Sequence, residues 1–411
     1  MNPEESFIAT NGVQVKYKHK KSKYDFDHVI FVFSGFLNYN PGNYDFANAL
    51  NECPCDVVWI NDDFDKMYAY YLCKGMDFSI EEAVTEFICD KISELKLDNK
   101  KATVTGFSKG GSAALYYGLK LNIRNIVATV PQLHIGSYIV RNWKHVAQHM
   151  MGNMYALSDI GYLDKLILKA LRSDTALDKN VYLLTSEADI QYPVEIQPYL
   201  NDFAKYQNFN LLKTHSGFVR EHNQITGHHV ALLLSIYYGL ASEAVPRYNN
   251  GNVEFFGKLL TGNKQPSGEL IYDLRIAKII DGRLFLEGAA LLRGHDIVEY
   301  SDLNYYLLLQ NGDSVIRLEL AKSHRPSLTK EFFDGKHLTI YDKAWFTTYQ
   351  HKGIDICILP KGKYRLSIGV KLASGIDKHI ILLDKRNITL VTKTKEYELI
   401  IQDKALYLNI L

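Results

Sequence analysis

Gly106-Phe107-Ser108-Lys109-Gly110-Gly111 carries the spacing G-x-S-x-G. That spacing suits a serine held on a sharp turn from a strand into a helix, with its hydroxyl presented as a nucleophile. The glycines have a steric task there, because a strained serine backbone tolerates no Cβ crowding from its neighbours. In a chain with 27 glycines the pattern alone is weak, and its context is what strengthens it. The β-prone run Ala102–Thr105 precedes it, and a helical pattern from about Lys109 to Leu121 follows.

A serine hydroxyl needs a base, and the base needs an orienting carboxylate. Asp189 lies in the turn after the apolar run Val181–Thr185 and is the expected acid, with Glu187 as runner-up. Four histidines compete for the base: His215, His222, His228 and His229. His215 stands at a strand end, too early in the loop. His228 follows Gly227 and directly precedes the expected final helix, so it is the preferred base, with His222, placed mid-loop, second. Acyl transfer also needs donors aimed at a developing oxyanion. The backbone N–H of Lys109 and that of Gly35 or Phe36, after the run Val29–Phe33, are the candidates. The Lys109 side chain is expected near the mouth of the site, within reach of a phosphate or an acidic sugar.

These residues need a scaffold. Short apolar runs at Val29–Phe33, Val57–Ile60, Ala102–Thr105, Ile126–Val130, Val181–Thr185 and Asn210–Thr214 alternate with amphipathic stretches. Such alternation predicts a mainly parallel sheet with helices on both faces. Asn11-Gly12 predicts a hairpin between Phe7 and Lys18, and Ser79 with Glu82 predicts a capping box. Residues 134–179 interrupt the rhythm and are read as a lid insertion. Beyond Pro246 the grammar changes to short strand-like runs, Leu338–Ile340 among them, separated by Gly-, Asp- and Lys-rich turns. This predicts a β-sandwich. The expected domains are therefore residues 1–246, catalytic α/β, and 247–411, accessory β.

Composition limits the partners. The chain has 411 residues, 47 Lys+Arg against 46 Asp+Glu, and a formal charge of +1. Near-cancellation argues against a dedicated nucleic-acid binder, and 47% hydrophobic residues argue against disorder. Five cysteines, including the tight pair Cys53-Pro54-Cys55, fit free thiols in a reducing compartment. The acidic start Met1–Ser6 lacks the pattern of a signal peptide, and no run is apolar enough to span a bilayer. A cytoplasmic location is expected. His145 and His149 lack the glutamate of a zinc-protease helix, so no metal is expected, and no phosphate-binding glycine loop follows a strand. The 28 tyrosines suit sugar-facing surfaces or simply reflect genome composition.

The order Ser108, Asp189, His228 over residues 7–245 resembles the α/β-hydrolase superfamily. Val32-Phe33-Ser34-Gly35-Phe36, Thr105-Gly106-Phe107-Ser108-Lys109-Gly110-Gly111 and Thr226-Gly227-His228-His229 are most similar to serine-dependent O-acetyltransferases of bacterial capsule assembly. They are more distantly similar to the carbohydrate-acetylating component of the accessory secretion system. The resemblance implies an acetyl group taken from acetyl-CoA onto Ser108 and passed to a polysaccharide hydroxyl. It also implies no permanently bound cofactor, and association with capsule assembly enzymes. A carbohydrate esterase with the same three residues, and a non-catalytic scaffold of a glycan-assembly machine, are the alternatives.

Overall fold

The computed structural model describes residues 3–24, 26–36, 41–42, 44–248, 252–255, 267–335, 337–383, 389–391 and 396–411. The chain forms two compact units, Met1–Lys258 and Leu259–Leu411.

In the first unit the strands are β1 (Glu5–Ile8), β2 (Gln14–Lys20), β3 (Val29–Phe33), β4 (Asp56–Ile60), β5 (Ala102–Phe107), β6 (Asn125–Thr129), β7 (Asn180–Thr185), β8 (Asn208–Thr214) and β9 (Asn252–Phe255). They pair in the order β1-β2-β4-β3-β5-β6-β7-β8-β9. From β4 to β9 all pairs are parallel, and β1 and β2 add an antiparallel edge. Every residue of β3, β4, β6 and β7 is buried, as continuous apolar runs covered on both faces require. Because β9 hydrogen-bonds along β8, the first unit extends past residue 246, and the division falls between Lys258 and Leu259.

The helices are α1 (Ser79–Glu94), α2 (Lys109–Lys120), α3 (Ile135–Asn142), α4 (Lys144–Met151), α5 (Leu157–Ser173), the short α6 (Tyr192–Glu195) and α7 (Leu200–Phe203), α8 (His222–His228) and α9 (Val230–Ala241). The expected capping box at Ser79 does not form. Ser79 is already helical, and the Asp77 carboxylate takes its N–H at 2.8 Å. Asn11-Gly12 does turn the β1–β2 hairpin, with Gly12 at φ +83°. Residues 134–179 fold as α3, α4 and α5, whose apolar faces (Ile139, Val146, Met150, Leu163, Ile167, Leu171) join the sheet's own core.

The second unit is all-β apart from α10 (Ser327–Glu331) and a single 3-10 turn, among the described residues. Its strands are β10 (Leu270–Ile280), β11 (Arg283–Leu292), β12 (Leu303–Asn311), β13 (Ser314–Ser323), β14 (Trp345–Thr347), β15 (Ile354–Asp355), β16 (Gly362–Leu372), β17 (Asp377–Ile381), β18 (Thr389–Val391), β19 (Tyr397–Gln402) and β20 (Ala405–Ile410). They pair antiparallel except β10 with β18, around a core of their own that includes Leu286, Leu307, Phe346 and Ile368. The run Leu338–Ile340 is not a strand. The Ile340 N–H goes to the Asp296 carboxylate and its carbonyl accepts from Ile297, so no ladder forms.

Candidate functional site around Ser108

Ser108 sits between β5 and α2 at φ 54°, ψ −121°, a backbone conformation that an L-residue adopts only under compulsion. The compulsion is packing. A Cβ on Gly106 would strike the Gly110 carbonyl, and one on Gly110 would strike the carbonyl oxygen of Phe33. Glycines therefore let α2 start against the end of β3. The Ser108 N–H is tied to the Thr129 carbonyl at 2.9 Å, which fixes the turn.

The Ser108 Oγ lies 2.8 Å from His222 Nε2, and His222 Nδ1 lies 2.7 Å from Asp189 Oδ2. The Asp189 side chain is wholly buried and that of His222 is 17% exposed. Asp189 also receives the N–H of Gln191, which fixes its carboxylate on the turn after β7. The structure therefore brings together Ser108, Asp189 and His222. Glu187, the runner-up acid, turns outward to Lys213.

His228, the preferred base at the level of sequence, is not the histidine at Ser108. The helix expected after His228 forms as α9, but a further helix that the sequence pattern did not announce, α8, precedes it and runs His222–His228. His222 thus occupies its first position, and six residues at 1.5 Å each put His228 about 9 Å further along the axis. There its ring meets Phe218 and His229, with centroids 6.4 and 4.9 Å away. His229 is buried and bonds the Ile225 carbonyl.

The candidate oxyanion donors differ in their partners. The Gly35 N–H donates to Asp45 Oδ2 at 2.7 Å and so is not available to a substrate. The N–H of Phe36 has no partner among the described residues, and that of Lys109, first in α2, has none within the helix. Phe36 is clamped by Trp143, stacked on its ring at 4.2 Å, and by the edges of Tyr68 and Tyr70. The 134–179 insertion therefore supports this donor directly.

The Lys109 side chain departs most from expectation. It is fully buried rather than at the mouth, with Nζ 2.8 Å from Asp62 and Tyr71 and Tyr68 rings at 4.5 and 5.0 Å. Burial pulls its pKa below the usual lysine range against the opposing pull of Asp62. Asp62 in turn accepts the backbone N–H groups of Ala69, Tyr70 and Tyr71.

Sequence reasoning missed Gln132, Asp62, Asp45 and Glu195. Gln132 is fully buried, and its Nε2 lies 2.6 Å from Ser108 Oγ. Glu195 accepts the N–H groups of Leu133 and His134, anchoring the segment after β6. One signal was legible: Gln132 follows a strand of a parallel sheet, and ligands meet such sheets at their carboxyl ends. As a set, a buried carboxylate, an imidazole and a strained serine with two backbone donors can carry out acyl transfer or ester hydrolysis.

No family model and no curated protein matches the sequence. Among solved structures, the chain is similar to the capsule O-acetyltransferase of Neisseria meningitidis serogroup A, at 20% identity over 56% of this chain and 93% of that one, TM-score 0.47. A mutant of that enzyme in complex with CoA gives the same TM-score and identity. The S-formylglutathione hydrolase of Staphylococcus aureus is similar at 12% identity, over 59% of this chain and 98% of that one, TM-score 0.44. By its own strand order and its Ser108 turn, the unit Met1–Lys258 has an α/β-hydrolase-like fold.

Proposed function

We propose that the protein is a serine-dependent O-acetyltransferase that moves an acetyl group from acetyl-CoA, through acetyl-Ser108, to a hydroxyl of a bacterial capsular or related surface polysaccharide. The observation that supports this most is the continuous relay Ser108–His222–Asp189. The donor and acceptor classes rest on the motif resemblance.

In the first half-reaction His222 Nε2 takes the hydroxyl proton as Ser108 Oγ bonds the thioester carbon. The N–H groups of Phe36 and Lys109 receive the charge on the carbonyl oxygen. The CoA thiolate leaves and takes the proton back from His222. In the second half, a sugar hydroxyl gives its proton to His222 as its oxygen bonds the acetyl carbon. Ser108 Oγ then departs and recovers that proton. Asp189 holds Nδ1–H throughout, keeping Nε2 free to act as the base. Water in place of the sugar gives hydrolysis by the same steps.

The test is to incubate the protein with acetyl-CoA and a capsular polysaccharide and follow free CoA and polysaccharide-bound acetyl ester together. Release of both, lost in Ser108→Ala, is expected. CoA release that is the same with and without the polysaccharide would make the protein a hydrolase, and no Ser108-dependent release would overturn the reading.

A further inference from the structure

We infer that Gln132 is a further catalytic residue: its side-chain amide donates to Ser108 Oγ and stabilises charge on that atom in both half-reactions. The inference rests on the acyl-transfer reading above.

The contact is 2.6 Å, with Gln132 fully buried. Which end of the amide faces Ser108 follows from the surrounding bonds. The Ser108 proton is committed to His222 Nε2, so Oγ can offer the amide only a lone pair, and the partner must be a donor. The second Nε2 proton goes to Gln191 Oε1 at 3.0 Å, and the Tyr70 hydroxyl donates to Gln132 Oε1 at 3.4 Å. All three contacts agree with an NH2 group directed at the nucleophile.

The backbone is arranged to hold it there. At the end of β6, Val130 has φ +40°, an outlier for a β-branched residue, with its N–H held by the Leu184 carbonyl. The chain then returns over α2, where the Ser112 hydroxyl accepts the Gln132 N–H at 2.9 Å and donates to its carbonyl at 2.7 Å. Ser112 lies one helical turn beyond Ser108, so nucleophile and amide are latched to the same helix. Strain retained beside a doubly fixed residue is the pattern of a preorganised group.

The chemical consequence concerns Oγ itself rather than the carbonyl oxygen. Oγ gains negative character as it loses its proton to His222 and attacks, and again as it leaves the acetyl carbon in the second half. An N–H donor in a dry site favours both moments. The phenolic and amide partners behind Gln132 keep the donor in place without reorganisation during the reaction.

Gln132→Met removes the donor while keeping a side chain of similar length. Acylation and deacylation are measured separately, as the burst of thiol release from a thioester and the later loss of the acyl group. Fluorophosphonate labelling and thermal unfolding run in parallel. Both half-reactions and the labelling rate are expected to fall roughly tenfold to a hundredfold, with the thioester KM within about twofold and folding retained. Labelling and turnover equal to wild type in a folded variant would overturn the inference, as would a loss confined to KM. If Gln132→Met unfolds, Gln132→Glu, isosteric but without the amide donor when ionised, replaces it and should show the same losses at neutral pH. A wild-type chain that is labelled at Ser108 but transfers and hydrolyses nothing refutes the acyl-transfer reading, while slower labelling of the variant still supports the Oγ contact. A wild-type chain that is not labelled at all refutes both.

Discussion

Lys109 and Asp62 form an ion pair 2.8 Å long whose side chains are 0% and 1% exposed, one peptide bond from the nucleophile. Asp62 also collects three N–H groups from residues 69–71. The pair therefore joins the start of α2 to the segment whose Tyr68 and Tyr70 flank Phe36, the other candidate oxyanion donor. Lys109 thereby has two placements: its N–H is a candidate oxyanion donor at the start of α2, and its ammonium is buried against Asp62.

Breaking this pair from one side leaves an uncompensated buried charge. Lys109→Met should destabilise the first unit by about 3–5 kcal/mol in urea unfolding. The double variant with Asp62→Leu should cost less than the sum of the two single changes. Additive costs would show that the two charges do not depend on each other.

The histidine assignment gives a sharp contrast. His222→Ala should lower kcat/KM by ~10⁴ or more, and Asp189→Asn by ~10⁴, because either change removes the correctly oriented base. His228→Ala should stay within about threefold of wild type, since its ring lies against Phe218 and His229. The reverse order of effects would place the base at His228.

Acid sensitivity should trace in part to His28. It is buried, bonds the Thr103 hydroxyl at 2.8 Å, and burial lowers its pKa to about 4. The unfolded chain, near the ordinary value of 6.5, binds the proton first as pH falls. Stability is therefore lost from about pH 6.5 downward and levels off below about 4. Between pH 7 and 4.5, His28→Gln should lose ~2–3 kcal/mol less stability than wild type in urea unfolding. Equal losses in the two proteins would remove His28 as a cause.

Ser108, its glycines and Asp189 were legible in the sequence because each is determined by short-range pattern. An elbow needs a strand, two Cβ-free positions and a helix in immediate succession, and an acid that follows a strand is located by that strand. The parallel sheet was legible for the same reason, since β3, β4, β6 and β7 are unbroken apolar runs. The tyrosine surplus pointed to no site, and several of these residues prove to be buried fasteners. Tyr237 bonds the Thr105 hydroxyl, and Tyr71 takes the Ser34 N–H.

Only the tertiary structure shows that His222, and not His228, lies beside Ser108. The choice depends on α8, a seven-residue helix inside the segment read as a loop, which local propensity does not announce and which places His222 at its first position. The same holds for Gly35, whose N–H is taken by Asp45, and for Lys109, whose charge is drawn inward by Asp62. Gln132 reaches Ser108 only because β5 and β6 are neighbours and Ser112 latches the returning chain. Sequence order carries the residue types that can react. Contacts between segments far apart in the chain decide which of them meet, because a buried polar group settles where its partners are.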